Sequence, residues 1–140
     1  MSGTISIVGS CLCGSVLIKA EVKHHNVGAC HCSMCQKWSG GPFLAVESVG
    51  MPDISGEEHV TRFDSSEWAE RGFCRKCGSN LFYHLKPKDM YILSSSIFAP
   101  ETDLAMDHQI FIDEKPAYYD FANDTKNMTG AEVFAEFGEA

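Results

Sequence analysis

Apolar and polar positions alternate early in the chain. Val16, Ile18, Ala20 and Val22 are separated by Leu17, Lys19 and Glu21. A period of two reads as a half-buried strand, because successive side chains point to opposite faces. Residues 43–47 form a short, mostly apolar run bounded by Gly40-Gly41-Pro42 and by Gly50. Residues 59–63, 71–74, 81–85, 90–94 and 109–112 read similarly, with turn signals at Gly56, Gly78, Pro87-Lys88-Asp89 and Pro100. Many short strands at close spacing predict a mainly β fold, a sandwich or folded sheet. One helix is expected, at the C-terminus. Thr129 followed by Glu132 has the form of a capping box. Val133, Phe134 and Phe137 then share a face.

The 140 residues carry no internal repeat or linker, so residues 1–140 read as a single domain. Apolar residues make up 44% of the chain, enough for a core. The formal net charge of -8 disfavours a phosphate backbone as partner, so no nucleic acid is expected. The start of the chain lacks the pattern of a signal peptide. No stretch approaches the ~20 apolar residues of a membrane span. The expected location is therefore a reducing cytoplasm, where cysteines stay as thiols or bind metal. Asn123-Asp124-Thr125 and Asn127-Met128-Thr129 then read as chance matches to glycosylation triplets.

Seven cysteines fall into three clusters. Cys11-Leu12-Cys13-Gly14 is a C-x-C-G pair, Cys30-His31-Cys32-Ser33-Met34-Cys35 a C-x-C-x-x-C triplet, and Cys74-Arg75-Lys76-Cys77-Gly78 a C-x-x-C-G knuckle. The knuckle can turn two sulfurs toward one metal, with Gly78 in the left-handed conformation. A structural zinc takes four ligands. Joining Cys11 and Cys13 to Cys74 and Cys77 closes such a site. Cys30, Cys32 and Cys35 are then left, in one short loop, as three ligands of a second zinc with one open position, which is the catalytic type. Three alternatives stay open. The triplet can be a redox trio or buried core thiols, His31 can be a fourth ligand, and the triplet can join the knuckle instead. His24-His25 reads as a solvated turn, His84 as a packed or surface residue, and His108 as structural. Phe43, Phe73, Phe82 and Tyr83 read as core, and Trp38 as packing or a pocket wall.

These residues resemble the glutathione-dependent formaldehyde-activating enzymes, which share a domain with centromere protein V. The matching pieces come in that family's order: residues 9–14, residues 30–37 with Gly40, residues 63–66 and residues 71–81, with weaker similarity from His108 to Tyr119. The resemblance implies a β-tent fold of small antiparallel sheets around zinc. It implies two zinc ions per chain, a structural one on Cys11, Cys13, Cys74 and Cys77 and a catalytic one on Cys30, Cys32 and Cys35. It also implies an activity like that of S-(hydroxymethyl)glutathione synthase, a carbon–sulfur lyase acting on glutathione and formaldehyde. The chain is shorter than those enzymes and lacks the extra segments that would hold a tripeptide thiol. The expectation is a zinc-dependent carbon–sulfur lyase for a small thiol and an aldehyde. Its rivals are a non-catalytic protein-binding module and a zinc hydrolase of another carbon–heteroatom bond. No residue is assigned as general acid, and His31 is the nearest by sequence.

Overall fold

The computed structural model describes residues 3–98 and 103–137. Pro100, read above as a turn signal, lies outside the described residues. The strands are β1 (Ile5–Ser10), β2 (Leu17–Val22), β3 (Asn26–Cys30), β4 (Phe43–Glu47), β5 (Asp53–Ser55) and β6 (Val60–Asp64). They continue with β7 (Ala69–Cys74), β8 (Asn80–Leu85), β9 (Met90–Ser94), β10 (Ala105–Ile110) and β11 (Lys126–Met128). Helix α1 (Ser33–Ser39) lies between β3 and β4, and α2 (Gly130–Phe137) follows β11. The fold is mainly β, and none of the described helices is long and apolar enough to cross a membrane.

The chain divides into two compact units. The first takes the described residues up to His25 and those from Val46 to Asp103. In it β1, β2 and β5 form an antiparallel sheet in the order β1-β2-β5. The alternation along β2 works as read. Ile18, Ala20 and Val22, with Val16 just before the strand, are buried, while Leu17, Lys19 and Glu21 are exposed. Strands β6 to β9 form an antiparallel meander. Leu81, Phe82 and Leu93 fill its core. A Cβ at Gly72 would lie 2.2 Å from Phe82 Cζ, so only glycine lets that ring rest on β7. His84 is packed, as expected. Its Nδ1 is 2.8 Å from Glu70 Oε2, its Nε2 is 2.6 Å from Asp89 Oδ1, and its ring stacks on Tyr91 at 4.1 Å.

The second unit takes Asn26–Ala45 and the residues from Leu104 onward. Here β10 pairs in parallel with both β11 and β3, and β3 pairs antiparallel with β4. A Cβ at Gly28 would come within 2.2 Å of His108 Nε2, so the β10 histidine covers bare backbone of β3. That is the structural place expected of His108. The capping box forms at α2: Thr129 N–H donates to Glu132 Oε1 (2.7 Å), and Glu132 N–H donates to Thr129 Oγ1 (3.2 Å). Val133 is buried, and Phe134, half exposed, meets Phe111 edge to face at 5.6 Å. The Phe137 side chain lies outside what is described.

Candidate metal centres

Two turns of the first unit bring four thiols together. After β1, Gly14 N–H donates to the Cys11 carbonyl (3.1 Å) with Gly14 at φ +81°, so the chain reverses between Cys11 and Ser15. After β7, Gly78 N–H donates to the Cys74 carbonyl (2.7 Å) with Gly78 at φ +79°. The left-handed backbone is what only glycine adopts without cost. Leu12 N–H donates to Ser79 Oγ (3.0 Å) and ties one turn to the other. The sulfurs of Cys11, Cys13, Cys74 and Cys77 all lie within 4.8 Å of one another. Cys11 and Cys13 are separated by 3.7 Å, and Cys13 and Cys74 by 3.8 Å. A tetrahedron of sulfurs about 2.3 Å from a central zinc has edges of about 3.8 Å, so the donor set and its spacing fit that ion.

The surroundings favour thiolates at two of these positions. Ser79 Oγ is 3.2 Å from Cys77 Sγ. Its hydroxyl, then its backbone N–H, pulls the Cys77 thiol down to about 5. The Ser15 hydroxyl, 3.3 Å away, and the Ser15 N–H lower Cys13 in the same way. Buried Cys74 is pushed up by desolvation.

The triplet belongs to the second unit and is not the short loop expected from sequence. Cys30 ends β3, Cys32 is the N-cap of α1, and Cys35 lies in the first turn of that helix. Cys32 Sγ accepts from Cys35 N–H (3.3 Å), standing where a serine or aspartate oxygen commonly caps. Gly40 at φ +74° stops the helix. The three sulfurs lie within 4.8 Å of one another, and no further His, Cys, Asp or Glu among the described residues joins them. Hydrogen bonds to Cys32 and Cys35, then burial, push the Cys30 thiol up. Three crowded thiols cannot all ionise without a neutralising cation, so this donor set also fits a metal.

His31 is fully buried, and its ring is engaged elsewhere: Nδ1 is 2.8 Å from the Tyr119 hydroxyl and Nε2 is 2.7 Å from Gln109 Oε1. Burial foremost lowers its pKa, against the Gln109 bond and with the Lys115 charge. Burial, then Tyr118 and Cys30, raises the Tyr119 phenol. Gln36 Nε2–H donates to the His31 carbonyl (2.6 Å) and to the Glu114 carbonyl (3.0 Å), and Ser33 N–H donates to Glu114 Oε1 (2.9 Å). Gln109, Glu114 and Tyr119 fall in the stretch of weaker similarity but received no role, since they lie about 80 residues from the triplet and carry no spacing signal. Trp38 packs on Phe43 at 5.1 Å.

Comparison with known proteins agrees with this geometry. The profile of the family described as glutathione-dependent formaldehyde-activating enzyme matches residues 6–114, which include all seven cysteines. An uncharacterized lyase of Schizosaccharomyces pombe is 36% identical over 126 residues, covering 89% of this chain and 92% of that protein. A Halomonas elongata protein provisionally named glutathione-dependent formaldehyde-activating enzyme is 32% identical over 83 residues, 53% of each chain. A crystal structure of a Rhodobacter sphaeroides protein superposes with a TM-score of 0.59 at 23% identity, covering 69% of this chain and 92% of that one, which shows a common fold. With its profile match running through both cysteine groups, this chain belongs to the glutathione-dependent formaldehyde-activating enzyme family.

Proposed function

We propose that this chain is a zinc-dependent carbon–sulfur lyase acting on the adduct of a small thiol and an aldehyde. Cys11, Cys13, Cys74 and Cys77 would hold a structural zinc, and Cys30, Cys32 and Cys35 a second one. The observation that carries the reading is the contrast between four gathered sulfurs and three. A tetrahedral ion with three protein donors keeps one position for substrate. When bound at the triplet, zinc supplies a centre that favours the thiolate over the thiol at that position.

The reaction balances as a simple addition. The thiolate sulfur forms a bond to the aldehyde carbon, the carbonyl π pair moves to oxygen, and that oxygen takes up a proton. The lyase direction breaks the same carbon–sulfur bond and returns the proton. His31 is badly placed to handle that proton, because both ring nitrogens are engaged and the ring is buried. The chain's own task is to hold three sulfur donors together, with Cys32 and Cys35 fixed by the first turn of α1.

The identity of the thiol follows less directly. A cavity of about 340 Å³ in the second unit is lined by Gln109, Lys115, Asp120, Phe121, Asp124 and Asn127 among others. Lys115 is 2.8 Å from Asp120 and also donates to the Pro116 and Tyr119 carbonyls. That cation is committed, so this cavity is poorly suited to the two carboxylates of glutathione. The test measures adduct formation from formaldehyde with glutathione, cysteine and a neutral thiol by NMR, subtracting the spontaneous reaction. Acceleration with at least one thiol, lost in a folded Cys32→Ser variant, is the expected result. Rates equal to the background for every thiol would overturn the proposal.

A further inference from the structure

His31 stands between two triplet cysteines, yet every polar group it owns is held by something other than that sulfur group. Its N–H donates to the Ile110 carbonyl (3.1 Å), and its carbonyl accepts from Gln36 Nε2–H (2.6 Å). Gln109 and Tyr119 occupy the two ring nitrogens. The direction of the ring bonds can be read from the far end. Gln109 Nε2–H donates to Thr125 Oγ1 (2.8 Å), and the Thr125 hydroxyl donates to Asn127 Oδ1 (2.7 Å). The Gln109 amide is thereby turned with Oε1 toward His31. His31 Nε2–H then donates to Gln109, and Nδ1 accepts from the Tyr119 hydroxyl.

Two facts make this more than ordinary packing. His31 and Gln109 are 0% and 5% exposed, so the bond between them is made where water cannot replace it. The residue they fix is the one between Cys30 and Cys32, and Gln36, whose side chain donates to its carbonyl, lies one residue past Cys35. We propose that His31 is a positioning residue, anchored by Gln109 and Tyr119, which sets the spacing of the Cys30, Cys32 and Cys35 sulfurs and hence the metal affinity of the triplet. This rests on the proposed metal binding at the triplet. Polar groups one layer out from metal ligands commonly change affinity about 10–100-fold when removed.

The experiment is chelator competition on the metal-loaded chain, read by cobalt absorption, for wild type, Gln109→Leu, Gln109→Glu and Tyr119→Phe. Gln109→Leu removes the acceptor for His31 Nε2–H at similar volume. Its triplet affinity should fall about 10–100-fold with altered cobalt bands, while the four-cysteine ion stays as tight as in wild type. Gln109→Glu keeps an acceptor at that place and should restore most of the affinity. Should Gln109→Leu fail to fold, Tyr119→Phe, which deletes one hydroxyl from a half-buried ring, should give a smaller loss in the same direction. Unchanged triplet affinity and bands in the folded variants, or a Glu variant no better than Leu, would overturn the proposal. Wild type binding no second ion would overturn the functional reading and this one with it. A second ion held equally by wild type and variants would overturn this one alone.

Discussion

Cys13 and Cys74, 61 residues apart, sit 3.8 Å from each other in a group assembled from two distant turns. Cys30, Cys32 and Cys35 come from six consecutive residues, where a strand passes into a helix. The four-cysteine group has serine hydroxyls beside two of its sulfurs, whereas the triplet has a buried histidine network behind it. An ion at the first would close a long loop and so carry folding free energy. An ion at the second would close almost nothing that strand and helix have not already closed. On the proposed reading, cysteine serves stability in one place and chemistry in the other, and the difference lies in how much chain each group spans.

The comparison breaks most visibly at Cys77. Cys77→Ser should remove a ligand from a site whose metal contributes on the order of 10 kcal/mol to folding in small zinc domains. Thermal unfolding should show loss of a cooperative transition or a very large drop in its midpoint. A midpoint close to wild type would mean that the four-cysteine group is not what holds the fold. Cys32→Ser should behave differently. It should lose one metal of two by elemental analysis yet keep its β signal in circular dichroism. Serine is itself a good N-cap, so α1 should lose less than about 1 kcal/mol.

Acidification sharpens the contrast. Cys13 and Cys77 have lowered pKa values, so their contribution to stability is complete above the ordinary thiol value of about 8.5 and is lost as pH falls through about 5 for Cys77. Cys30 is raised, so protons compete for the triplet at higher pH. With a chelator present and the pH lowered stepwise from 8 toward 5 (roughly the thiol range), the triplet metal should leave first. Simultaneous release would erase the distinction. The smallest effect expected is at Ser79. Ser79→Ala removes the acceptor of Leu12 N–H and the hydroxyl beside Cys77, and should cost about 1 kcal/mol by denaturant unfolding.

Much of the first unit was legible because its strands alternate cleanly. β2 is the best case, with its apolar face buried residue for residue. The second unit was legible in part: residues 43–47 form β4 and the capping box starts α2, but β3, β11 and α1 went unread for physical reasons. β3 reads Asn-Val-Gly-Ala-Cys, poor in β-branched residues, because Gly28 lies under the His108 ring. β11 is three residues long with no apolar period, and it is held by parallel pairing to β10. α1 was missed because a thiol caps it and because three of its neighbouring positions were read as metal chemistry, not as helix. The cysteines themselves were legible by spacing, and the sulfurs meet in the groups that spacing favoured. The anchoring of His31 was not, since nothing in local sequence links it to Gln109, 78 residues on.

The most direct test of the account is the response of each metal to thiol. The cobalt-substituted protein should show two tetrahedral thiolate spectra that add. Titration with a small thiol should intensify the sulfur-to-cobalt band of one spectrum and leave the other unchanged, and the responding spectrum should be the one absent in Cys32→Ser. No response to any thiol, or a response from the ion that Cys32→Ser retains, would contradict the assignment of chemistry to the triplet.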